Sequence, residues 1–85
     1  MPVISRFYGI VVVMYFNDHQ PPHVHAKYSG YEAMVSFDGA IVEGDLPARA
    51  FKLVRDWVIC RQGQLMDNWR RANAGLPLEY IAPLE

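Results

Sequence analysis

Three histidines, His19, His23 and His25, lie within one stretch, Asn17-Asp18-His19-Gln20-Pro21-Pro22-His23-Val24-His25, and the 85-residue chain has no others. His23 and His25 are two residues apart. On a strand that spacing puts both Cβ atoms on one face, roughly 6.6 Å from each other. Imidazoles so placed can tilt onto one ion at about 2.0–2.1 Å. His19 or Asp18, carried on the proline turn, supplies a third donor. Three protein donors and one open position describe a catalytic zinc centre. The expected metal ligands are therefore His19, His23 and His25, and the expected ion is a divalent metal such as zinc. Without a metal, His23, His25 and Asp18 become candidate catalytic residues for general acid–base work, with Glu32 as a second carboxylate. A plainer role is also open. A histidine after Pro-Pro can donate to a turn carbonyl and pin the loop, or join a recognition surface with Tyr15 or Tyr31.

Other chemistries find less support. Cys60 is the single cysteine, so no internal disulfide forms. It falls in a helical pattern, where a half-buried cysteine acts as a small hydrophobe. Ser5, Ser29 and Ser36 lack a nucleophile elbow. There is no glycine-rich phosphate loop, no CxxC and no HExxH.

The formal net charge is −1, which gives no bulk field for nucleic acid. The charge is uneven, however. Up to Leu46, Arg6 and Lys27 face Asp18, Glu32, Asp38, Glu43 and Asp45. From Pro47 to Ala74, Arg49, Lys52, Arg55, Arg61, Arg70 and Arg71 face only Asp56 and Asp67. A solvated helix face is one reading, and a face for an acidic partner is the other. A nucleic acid would use Arg49, Lys52, Arg55, Arg70 and Arg71. Arg49, Lys52 and Arg55 join His19 and Ile59 as candidate binding residues.

The elements that must hold these groups follow from pattern. Val3 and Ile4 suit an edge strand. Ile10-Val11-Val12-Val13-Met14-Tyr15-Phe16 has the unbroken apolar character of a buried strand, and Gly9 marks a hairpin or a bulge before it. Two prolines end strand pairing across Asn17–Pro22. His23–Ser29 and Tyr31–Phe37 both alternate, and Ser29-Gly30 joins them as a hairpin. Asp38-Gly39 is the next hairpin signal, before a short strand at Ala40–Glu43. Asp45 is placed to cap a helix whose first turn holds Pro47. From there to Arg61, Ala50, Phe51, Val54, Trp57 and Val58 form an apolar stripe. Ile59 falls on the polar side, which points to a contact outside the domain. Gln62-Gly63 breaks the helix. A second one, about Gln64–Ala74, turns Leu65, Trp69 and Ala72 inward and ends at Gly75. Residues 76–85 are too apolar for a free tail and read as an extended arm.

The expected fold is α+β, a single domain over residues 1–85. Residues 1–43 build a small, mostly antiparallel sheet of about four strands. Residues 45–75 form two helices covering one of its faces. With Val24, Ala26, Ala33, Val35 and Phe37 against the helices, His23, His25, Lys27, Glu32 and Met34 lie on the other, open face. No leader pattern opens the chain, and Ile10–Phe16 is far short of the ~20 residues that span a bilayer. A cytoplasmic protein without membrane partners is expected.

The sequence also resembles a family of small bacterial proteins, domain of unknown function four-one-six-zero. The resemblance is carried by Met1-Pro2, Ile4-Ser5-Arg6-Phe7, Tyr15-Phe16-Asn17-Asp18-His19, and above all Pro21-Pro22-His23-Val24-His25. It continues through Glu32-Ala33, Gly44-Asp45-Leu46-Pro47, Trp57, Asn68-Trp69 and Pro77-Leu78, Ile81 and Pro83-Leu84. Ala26 stands where valine is commoner in that family. The resemblance implies a small partner protein encoded nearby and a two-protein toxin–antitoxin-like module. It implies no activity, metal or catalytic residue. Two functional classes follow: an interaction module, which the apolar content also favours and which extends to a homo-oligomer, or a small ribonuclease-like hydrolase using His19, His23 and His25.

Overall fold

The computed structural model describes residues 2–16 and 18–84. The expectations for Met1, Asn17 and Glu85 fall outside them. Five strands come first: β1 Val3–Phe7, β2 Ile10–Val13, β3 His23–Tyr28, β4 Tyr31–Ser36 and β5 Ile41–Gly44. Two helices follow, α1 Ala48–Cys60 and α2 Gln62–Asn73. The strands form one sheet in chain order, antiparallel throughout. There are five strands rather than about four because Tyr8 and Gly9 both take positive φ, 50° and 79°. That is the two-residue turn which joins β1 to β2.

Alternation decides the covered face. Val12, Ala26 and Ala33 stand in one cross-strand row and are at most 1% exposed. They belong to the same core as Val54, Trp57 and Val58 of α1 and Leu65, Trp69 and Ala72 of α2. Phe7 of β1 meets the Trp57 ring at a centroid distance of 5.4 Å.

The helix boundaries differ from expectation in instructive ways. Pro47 occupies the N-cap position, and no side chain caps α1. Asp45 instead donates its backbone N–H to the Glu32 carbonyl, at 3.1 Å. The chain crosses β4 closely there. A Cβ on Gly44 (φ 87°) would run into that same carbonyl, so only glycine fits. The break between the helices falls at Arg61 (φ −112°, ψ 21°), and Gly63 is absorbed into the first turn of α2. Cys60, at the end of α1, is exposed rather than half-buried, because the chain departs into α2 before anything covers it.

Residues 76–84 form an arm laid on this same domain. Ile81 is 3% exposed and donates its N–H to the Ile4 carbonyl at 2.7 Å. Trp57 Nε1 donates to Ala82 O at 2.9 Å. Buried Asn68 bonds both the N–H and the C=O of Glu79. No helix among the described residues is long and apolar enough to cross a membrane.

Candidate functional site

The segment between β2 and β3 brings Asp18 back to the start of β3. Within it the Gln20–Pro21 peptide is cis. Asp18 Oδ2 lies 2.9 Å from His23 Nε2 and 3.1 Å from His25 Nε2. One carboxylate oxygen therefore faces two imidazoles, whose centroids are 5.0 Å apart. Asp18 Oδ1 accepts the His19 backbone N–H at 2.9 Å.

The surroundings define the roles. Burial pushes the Asp18 carboxyl upward. The His25 hydrogen bond, the His19 N–H and the His23 ring outweigh that, and the net displacement is below the usual carboxylate value. Asp18 is thus held as an ionised acceptor. His23 Nδ1 lies 2.7 Å from Pro21 O. A carbonyl can only accept, so Nδ1 carries a hydrogen and donates it. This is the loop-pinning bond open to a histidine after Pro-Pro.

His25 differs. Its side chain is 13% exposed, and the ring meets Tyr15 edge-on at 4.5 Å. Its Nδ1 is buried without a hydrogen-bond partner. Glu32 Oε2 is 3.5 Å from that atom, within ion-pair reach but outside hydrogen-bonding geometry. A groove of about 230 Å³ lined by His25, Glu32, Met34 and Glu43 opens beside the ring.

Placement of His23 departs from expectation. It was expected to look out from an open face with His25. Its side chain is instead fully buried, 5.4 Å from the Trp69 ring and under the His19 ring at 5.0 Å. As the first residue of β3, it stands at the end of the sheet, where α2 reaches past the strand and closes over it. The second face is also less open than alternation implies: Val13 is 0% and Met34 8% exposed.

His19 lies at the rim, its side chain 64% exposed. Its Nδ1 is 3.2 Å from Gln20 O and its Nε2 3.7 Å from Asp18 Oδ1. The donor atoms that converge, all within 4.8 Å of one another, come from Asp18, His23 and His25. The third place falls to Asp18, while His19 stacks above.

The remaining candidate binding residues lie elsewhere. Arg49 lines a cavity with Tyr8, Tyr28 and Leu53, at the opposite end of β3 and so roughly 17 Å from His23 along the strand. Lys52 pairs with Asp56 at 3.0 Å. Arg55 and Ile59 lie against Gly39 in the β4–β5 turn. Arg70 and Arg71 pair with Asp67 and Glu79. These pairs neutralise much of the basic face that a nucleic acid would need. Sequence reasoning did not single out Asn68, whose burial and paired bonds to the arm become visible only with the arm in place.

A family model described as Domain of unknown function (DUF4160) matches residues 9–70, which include the whole Asp18–His25 site. No curated protein matches the chain, and no solved structure does.

Proposed function

The chain belongs to the DUF4160 family, and from that premise we propose that it is a cytoplasmic protein-interaction module, one half of a two-protein, toxin–antitoxin-like system. The observation that carries this reading is the outer edge of β5. All four of its residues are exposed. Ile41, Val42 and the nearby Ile59 leave 36%, 45% and 45% of their surfaces in solvent. An open strand edge flanked by aliphatic side chains suits a partner that adds an extended segment to the sheet. Co-expression with the product of the adjacent gene should yield a complex stable to size exclusion, and Val42→Lys should abolish it. Separate elution of the two wild-type chains at micromolar concentration would count against the reading. A homodimer in the same experiment would assign the edge to a second copy instead.

A second reading is favoured by the Asp18–His25 pair beside its groove. There the protein is a small ribonuclease-like hydrolase, with His25 as acid–base group and Asp18 orienting it. Expression should then arrest growth, and His25→Ala should relieve the arrest. Arrest unchanged by that substitution removes this reading.

A further inference from the structure

The proton positions at the site do not close with the protein's own atoms. His23 Nδ1 must donate to Pro21 O. Its Nε2 then meets an ionised carboxylate oxygen at 2.9 Å. If Nε2 is bare, a lone pair faces an anion. If it carries a hydrogen, His23 is a fully buried cation. His25 has the matching difficulty. When its Nε2 donates to Asp18 Oδ2, its Nδ1 is a buried lone pair with no donor to meet it, and the nearest acidic oxygen is Glu32 Oε2 at 3.5 Å.

A single substitution removes both difficulties: a cation in place of the hydrogens on the two Nε2 atoms. His23 Nε2 and His25 Nε2 then present lone pairs to it, together with Asp18 Oδ2. His23 Nδ1–H continues to donate to Pro21 O. The His25 hydrogen moves to Nδ1, which now faces the Glu32 carboxylate as a donor. Both imidazoles would have an outer oxygen partner, one carbonyl and one carboxylate, which is the usual arrangement behind metal-bound histidines. The two O···N separations, 2.9 and 3.1 Å, are close to the roughly 3.3 Å edge of a tetrahedron with bonds of 2.0–2.1 Å.

We propose that Asp18, His23 and His25 form a binding site for one divalent transition-metal ion of the zinc type, with Glu32 as outer partner of His25. Two imidazoles and one carboxylate suit a borderline ion rather than calcium or magnesium. The groove along His25, Glu32 and Glu43 provides an acidic route in. Three protein donors leave a position for water or a ligand atom. This site goes beyond the interaction reading and does not need it: a chain that binds metal but no partner supports this inference alone.

The test uses the full chain without a histidine tag, stripped with chelator and titrated with zinc, and with cobalt as an absorbing probe. One equivalent of either ion should bind, and cobalt should develop a visible ligand-field band. Asp18→Asn keeps the side chain's shape and should retain the native circular dichroism spectrum. It and His25→Ala should each weaken zinc binding by about 100-fold or more, and Glu32→Gln by about 10-fold. Cys60→Ser and His19→Ala should leave the stoichiometry at one. Uptake below about a tenth of an equivalent, with no thermal shift, would overturn the proposal. So would binding that survives Asp18→Asn and disappears with Cys60→Ser or His19→Ala.

Discussion

Each edge strand of the sheet carries one residue more than its neighbour can pair with: Ile4 in β1 and Val42 in β5. The same device has opposite outcomes. Ile4 is 1% exposed, and its carbonyl accepts the N–H of Ile81 from the C-terminal arm. Val42 is 45% exposed. An edge strand offers unpaired backbone groups to any passing strand. One edge is closed by the chain's own arm. The other is short, bulged and marked by Glu43, features that discourage indiscriminate pairing while leaving room for a specific partner. A strand edge thus becomes structure or surface according to what the chain can lay beside it.

The largest expected break in this contrast comes from ending the chain at Gly75. That removes the fully buried Ile81 and the half-buried Leu78 and Leu84, together with the bonds to Trp57, Asn68 and Ile4. At about 2 kcal/mol for a fully buried aliphatic side chain and about 1 kcal/mol net per hydrogen bond, urea unfolding should show a loss of about 4 kcal/mol. Concentration-dependent association through the uncovered β1 edge should accompany it. Val42→Lys, on the open edge, should change stability by less than about 0.5 kcal/mol in the same assay. A large loss there would show that β5 is more deeply packed than its exposure indicates.

The smallest effect lies in the turn that leads into the open edge. The Ser36 hydroxyl, and then the Ala40 N–H, hold the Asp38 carboxyl below its usual value of 3.8. A group whose folded value is depressed stabilises the protein above its unfolded value. That contribution fades as pH falls through the lower folded value. The Asp38→Asn protein should therefore lose less of its stability than wild type when acidified below about pH 4, as read by thermal melts over a pH series.

Most of the fold could be read in the chain because burial leaves a period. Alternation in His23–Tyr28 and Tyr31–Ser36, and the stripe Ala50-Val54-Trp57-Val58, each record one covered face. Period does not record where a strand stands within its sheet. His23 and His25 share a strand face by spacing, yet Trp69 from α2 closes over the first and leaves the second beside a groove. The Tyr8-Gly9 turn was hidden for a related reason: the apolar residues on either side of it read as one interval, and the extra strand went uncounted. Asp45 carries the right chemistry for a cap, but the approach of Gly44 to β4 turns it away. Asp18 was legible as a chemical group. Its position opposite two imidazoles depends on the path of residues 18–22, which no local pattern encodes.

The two tryptophans of the chain stand at the two places this comparison concerns. Trp57 is wholly buried with its Nε1 on the arm, and Trp69 packs against His23. The protein therefore holds two native optical probes with separate subjects. Trp57 emission should shift to longer wavelength when the arm detaches and water reaches the indole. Trp69 emission should be quenched when cobalt or another open-shell ion enters beside His23, with no wavelength shift. With one tryptophan replaced by phenylalanine, the other reports on the closed edge or on the histidine site, in the unlabelled protein and in real time.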